Sequence, residues 1–184
     1  MTSTKDRLLD AAEAVTTQKG TSRLTLDLVA STAKTSKGGL LYHFPSKPAL
    51  IQAMLERKMA EFWQRFDQQM AEISQAANPT LRSLIALCRS LRPEEWDLHA
   101  ALAVGLSEDP KLLIPVQSLY KNLWDRIEAE CGDPTAAYAI WSAVEGQTYF
   151  RLLSLDPITF DQRDNMFQYL EQLVNTLPAK GDAQ

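Results

Sequence analysis

The sequence predicts an all-α protein: a head of three short helices containing a helix-turn-helix, then a larger helical bundle, about nine helices in all. Three observations carry that prediction. Apolar residues recur at three- and four-residue spacing through nearly the whole chain. Strand-like alternation and hairpin dipeptides are missing. The seven glycines fall mostly at helix ends or turns, and Asn78-Pro79, Asp109-Pro110 and Asp133-Pro134 each read as a helix start.

The first helix is expected over about Thr4–Lys19, with Leu8, Leu9, Ala12, Val15 and Thr16 on one face and Gly20 as its stop. Thr25 reads as the N-cap of the second helix, with Asp27 in its first turn, where the helix dipole favours an acid. That helix ends near Thr32 or Ala33. Lys34 and Thr35 form a turn, Ser36 caps a third helix from Lys37 to about His43, and Leu40 faces inward. Two short helices joined by so short a turn match the helix-turn-helix unit. Gly38 and Gly39 are poor helix formers, about 1 kcal/mol each below alanine. A helix pressed into a DNA groove gains from a bare backbone at such places.

Proline disfavours helix in the residue before it, so Phe44-Pro45 breaks the third helix. Ser46 caps the fourth, and Lys47 stands at its start, a site suited to a phosphate. The fourth helix runs to about Ile73 on a wide apolar stripe that includes Met54, Trp63 and Phe66. The fifth starts at Pro79. A sixth is expected from about Pro93 to Leu106, carrying Trp96 and His99. A short segment after Pro110, which Pro115 kinks or divides, leads into a seventh with Tyr120 and Trp124, ending near Cys131. The eighth runs from Pro134 to about Asp156, with Ala136, Ile140 and Ala143 on a small face and Trp141, Glu145 and Tyr149 beside it. The ninth begins near Phe160 and carries Phe167, Leu170 and Val174. The expected domains are 1–46, 47–178 and a loose tail over 179–184.

Net charge is −4, which argues against nucleic acid until the chain is divided. Residues 1–48 hold seven Lys/Arg against four Asp/Glu, and the remainder twelve against nineteen. A basic head on an acidic body is expected when only the head approaches phosphates. Cys88 and Cys131 lie far apart and, with only His43 and His99 as histidines, give no metal-ligand spacing, so reduced thiols and no metal are expected. No nucleophile–base pair or phosphate loop can be assembled, so neither an enzyme nor a cofactor is expected. No apolar run nears the ~20 residues of a membrane span. The N-terminus does not read as a signal peptide, and the expected location is cytoplasmic.

The run Leu41-Tyr42-His43-Phe44, followed by Pro45-Ser46-Lys47 and a long helix, resembles the tetracycline-repressor (TetR) family over roughly residues 4–55. The resemblance implies a homodimeric repressor whose heads bind a palindromic double-stranded operator and whose C-terminal domain holds a small-molecule inducer. It places Ser36, Lys37, Gly38 and Gly39 against bases and phosphates, Tyr42, His43 and Lys47 against the backbone, and Thr25 near a phosphate. Two positions depart from the family pattern: Leu41 stands where a tyrosine is usual, and Lys34, beside Thr35, stands where the turn glycine is usual. Trp63, Phe66, Trp96, His99, Tyr120, Trp124 and Tyr149 are candidate inducer contacts; each taken singly reads more readily as ordinary core or an ordinary histidine, but with Trp141 they gather many large rings on the fourth to eighth helices. Glu145 is the candidate counter-charge for a lipophilic or aromatic cation. Ala136, Ile140, Ala143, Phe167, Leu170 and Val174 are the candidate dimer contacts, because the last two helices are more apolar than one core face demands. The alternative is a DNA-binding regulator or architectural protein of the same fold with no inducer.

Overall fold

The computed structural model describes residues 3–19, 23–73, 75–91 and 109–181. Its helices are α1 (Thr4–Lys19), α2 (Leu26–Thr32), α3 (Lys37–His43), α4 (Lys47–Ile73), α5 (Pro79–Ser90), α6 (Ile114–Glu130), α7 (Pro134–Leu152) and α8 (Phe160–Thr176), with a 3-10 turn over Pro110–Leu113 before α6. There is no strand among the described residues, only an isolated bridge between Cys131 and Ala179. The expected sixth helix, with Trp96 and His99, lies outside the described residues. Pro115 occupies the second position of α6, where its missing N–H leaves no bond unmade.

The chain divides into two compact units. One comprises the described residues of Met1–Ala60 and of Pro93–Gln117, the other those of Glu61–Arg92 and of Ser118–Gln184. In the first, Leu8, Leu9, Ala12 and Val15 of α1 pack with Val29 and Ala30 of α2, Leu40 of α3, Phe44, and Leu50, Ile51, Met54 and Leu55 of α4. Leu40 is the one buried residue of α3, so a single side chain and the adjoining Phe44 seat that helix. Removing such a side chain costs about 2–5 kcal/mol. On the flank, Arg57 of α4 binds Asp10 at 2.7 Å and Glu13 at 2.5 Å on α1. Burial works to lower the Arg57 guanidinium, but Glu13 and then Asp10 together hold it above its usual range.

In the second unit, Phe66 of α4 packs with Leu81, Leu84 and Ile85 of α5, Leu123 and Ile127 of α6, Ile140, Trp141 and Val144 of α7, and Phe167, Leu170 and Val174 of α8. Arg89 of α5 makes a two-bonded pair with Asp164 of α8, at 2.6 and 3.0 Å. Asn78 takes a left-handed backbone, φ 56°, and gives α5 no side-chain cap. Glu130 from the end of α6 supplies it instead, accepting from the Thr80 N–H at 2.9 Å and the Thr80 hydroxyl at 2.7 Å. Thr159 and Gln162 close a capping box at the start of α8.

Two expectations meet the packing of this unit. Of the candidate dimer contacts, Ile140, Phe167, Leu170 and Val174 are buried in this unit's own core. Of that candidate set only Ala143 is exposed and Ala136 half-buried. The apolar surface that α7 and α8 do present is Tyr138, Tyr149, Phe150, Phe160 and Tyr169, continued by Leu153 and Leu155 between them. The start of the expected tail is also pinned rather than loose. The Gly132 N–H donates to Pro178 O at 2.9 Å, and the Lys180 N–H to Glu130 O at 2.7 Å. A Cβ on Gly132 would lie 3.0 Å from the Ala179 carbonyl, so the approach requires glycine.

Candidate functional site

The helix-turn-helix is built by caps. The Thr25 hydroxyl accepts from the Leu28 N–H at 3.2 Å and starts α2. At its end the Lys34 N–H donates to Ser31 O, and the Thr35 N–H reaches back to Ala30 O at 2.9 Å. Lys34 takes φ 54°, the left-handed conformation the turn requires. Arg7 of α1 donates to Ala33 O at 3.0 Å, which ties the end of α2 to the first helix. Ser36 Oγ then accepts from the Gly39 N–H at 3.0 Å and starts α3, and Ser46 Oγ accepts from Ala49 to start α4.

What α3 leaves outward is the set read from the sequence. Lys34, Ser36, Lys37, Gly38, Leu41 and Tyr42 are exposed, and Thr35, Gly39, His43 and Lys47 are half-buried. Tyr42 stands 86% exposed, its ring edge-on to His43. The two glycines separate. A Cβ on Gly39 would lie 3.0 Å from Thr35 Oγ1 and 3.3 Å from Ser36 Oγ, within the cap itself. A Cβ on Gly38 would meet only Ser36 Oγ, at 4.0 Å. Gly39 therefore has an intramolecular reason, while Gly38 is bare towards open space. Lys37 donates to Asp27 of α2 at 2.9 Å, a partner ten residues away that no local spacing reveals.

The second unit gathers an aromatic cluster around one carboxylate. Tyr120 stacks on Trp141 at 5.5 Å between centroids, Trp124 lies parallel to Trp141 at 6.3 Å, and Tyr138 closes edge-on against both tryptophans. Glu145 accepts from the Tyr120 hydroxyl at 2.5 Å and from the Trp141 indole N–H at 3.1 Å. Burial first, then the Glu145 carboxylate, pushes the Tyr120 phenol well above its usual range. The same two causes push the half-buried Cys88 thiol up to about 12.

The structure thus joins Tyr120, Trp124 and Glu145. Tyr149, on the next turn of α7, is exposed and near enough to Tyr120 to oppose its ionisation. Trp63 is covered by the Arg126 guanidinium at 5.1 Å, and Phe66 is fully buried core, so its ring offers no open face. Trp141 is among the large rings read from the sequence as core or pocket lining, and Tyr138, which also belongs to the cluster, is not. Trp141 and Glu145 share a readable i, i+4 spacing. Among the described residues no group of three or more His, Cys, Asp or Glu could hold a metal ion, and no helix is long and apolar enough to cross a membrane.

An all-α chain with a capped helix-turn-helix at its front is a DNA-reading architecture. The profile of bacterial regulatory proteins of the tetR family matches residues 8–54, and that of the tetracyclin repressor-like C-terminal domain matches 78–175. The chain belongs to the tetR family of transcriptional regulators, with a DNA-binding helix-turn-helix head. A tetR-family protein from Streptomyces coelicolor shares its fold at TM-score 0.72 and 24% identity, over 96% of this chain and 99% of that one. A transcriptional regulator from a Rhodococcus species gives 0.71 and 20%, over 95% and 96%. The multidrug binding protein EbrR, complexed with imidazole, gives 0.68 and 24%, over 97% of both chains. A search of curated proteins found no match.

Proposed function

We propose that this regulator is a cytoplasmic homodimeric repressor, released from a palindromic operator by a lipophilic, aromatic cation. The observation that carries the inducer class is the Glu145 carboxylate, oriented by Tyr120 and Trp141 within stacked rings. Ring faces and an oriented carboxylate both favour a flat cation. Structures of EbrR complexed with malachite green and with ethidium, at 22% and 24% identity to this chain, are in keeping with that class. The exposed aromatic surface of α7 and α8 supports a second copy as the partner there.

The coupling follows from α4. Its first half carries Leu50, Ile51 and Met54 in one core, and its second half carries Phe66 in the other. For an inducer to release DNA it has to bind the DNA-incompetent state more tightly, and α4, which enters both units, is the element taken to carry that difference.

Titrating ethidium against the intrinsic tryptophan fluorescence tests this reading. Glu145→Gln is expected to weaken ethidium about tenfold, roughly 1.4 kcal/mol, with little effect on a neutral aromatic of similar shape. Ethidium is also expected to dissociate the wild-type protein from the duplex it enriches from a randomised library. Equal affinity in wild type and Glu145→Gln would remove the cationic inducer.

A further inference from the structure

The cation at the head of α3 has an intramolecular partner. Lys37 Nζ lies 2.9 Å from Asp27 Oδ2, and both side chains are more than half exposed, 57% and 69%. The pair runs from the first turn of α2 to the first turn of α3, across the helix-turn-helix. Lys37 is the first residue of α3, where the partial positive charge of a helix start disfavours a cation, and α3 has no acid in its own first turn. Asp27 supplies the missing negative charge. Any surface that meets the Lys37 ammonium therefore meets the Asp27 carboxylate beside it.

We infer that Asp27 is a specificity-determining residue of the DNA-reading head, acting through Lys37. The inference rests on the reading of α3 as the helix that enters the groove. On an arbitrary duplex, affinity comes from phosphate contacts, which carry no sequence information. A phosphate has to compete with Asp27 for the Lys37 ammonium, and the exposed carboxylate beside it faces a polyanion. Both effects oppose binding. At a matched site the ammonium has less reason to leave. It carries three donors, of which Asp27 takes one, and the others are available to guanine acceptors in the groove. The penalty falls on mismatched DNA and largely spares the matched site.

The test uses the full chain and two labelled duplexes, one of mixed sequence and one that the wild type enriches from a randomised library. Affinities are measured for wild type, Asp27→Asn, Asp27→Glu, Lys37→Ala and the Asp27→Asn/Lys37→Ala double variant. Asp27→Asn is expected to tighten the mixed duplex about two- to fivefold, the range of an exposed ion pair, and the enriched duplex by less. The ratio of the two affinities narrows. Asp27→Glu, which keeps the charge, is expected to keep the ratio, and in the Lys37→Ala background Asp27→Asn is expected to leave it unmoved. An equal change on both duplexes, no change on either, or the same narrowing without Lys37 would overturn the inference. A wild-type protein with no affinity for either duplex, even at low salt, would refute the DNA-reading assignment itself and this inference with it.

Discussion

Alanine at Gly38 and at Gly39, introduced one at a time, separates two reasons for the same residue type. At Gly38 a methyl meets nothing nearer than Ser36 Oγ at 4.0 Å, so within the free protein the substitution carries no clash. It removes the entropic cost of glycine in a helix, about 0.5–1 kcal/mol, which for a chain of this size raises the melting temperature by about 1–4 °C. At Gly39 the methyl would lie 3.0 Å from Thr35 Oγ1 and 3.3 Å from Ser36 Oγ, the atom that caps α3. Displacing that cap forfeits about 0.5–2 kcal/mol, which cancels or outweighs the gain in propensity. Gly38→Ala is therefore expected to melt above the wild type, and Gly39→Ala at or below it. On DNA the order of effects changes. A methyl added to a close-packed surface costs about 1–3 kcal/mol, so Gly38→Ala is expected to lose about tenfold to a hundredfold in affinity. Scanning calorimetry reads the first quantity, and fluorescence anisotropy on the enriched duplex reads the second. If Gly38→Ala melts higher and binds as tightly as the wild type, the bare backbone at that position has nothing to do with DNA.

Lys47→Ala is expected to weaken binding to every duplex alike and to reduce the slope of log affinity against log salt by about 0.9, measured by anisotropy across a salt series. Alkaline stability carries a signature of Cys88. Its thiol is raised from an ordinary 9.0 to about 12, so its contribution is fully present below pH 9 and is lost as pH rises towards 12. Denaturant midpoints are expected to fall across that window, and to fall less in Cys88→Ala. Gly132→Ala forces a methyl to within 3.0 Å of Ala179 O and 3.1 Å of the Pro178 ring. The expected cost is about 1–3 kcal/mol, or about 2–10 °C of melting temperature, with faster hydrogen exchange at the Lys180 amide.

The head was legible because its signals are local. Thr25, Ser36 and Ser46 act on N–H groups three residues ahead, Lys34 takes the left-handed turn position, and Pro45 ends a helix by its effect on the residue before it. None of these depends on a distant partner. Several pairs that escaped the sequence join residues far apart in the chain. Lys37 with Asp27, Glu130 with Thr80, and Arg89 with Asp164 carry no periodicity that would announce them. Trp141 with Glu145 does lie at a readable spacing, but there the apolar surroundings concealed the indole's role as a donor.

Which residues of the last two helices face inward was illegible for a different physical reason. A helix with one apolar stripe states in its sequence which side faces inward. Helix α7 is apolar around most of its circumference: Ile140, Trp141 and Val144 point into the core while Tyr138, Tyr149 and Phe150 point away from it. Successive residues differ by about 100° around the axis, so the two sets lie on opposite sides of the helix, and both sides are apolar enough to face inward. What fixes the rotation is the neighbour. Helix α5 lies against both α7 and α8, and its buried Leu81, Leu84 and Ile85 select the facing set. Apolar content alone therefore signals that α7 and α8 have surface to spare for a second contact. Only the packing of α5 decides that the spare surface is the tyrosine- and phenylalanine-bearing one, whose hydroxyls and ring edges tolerate water.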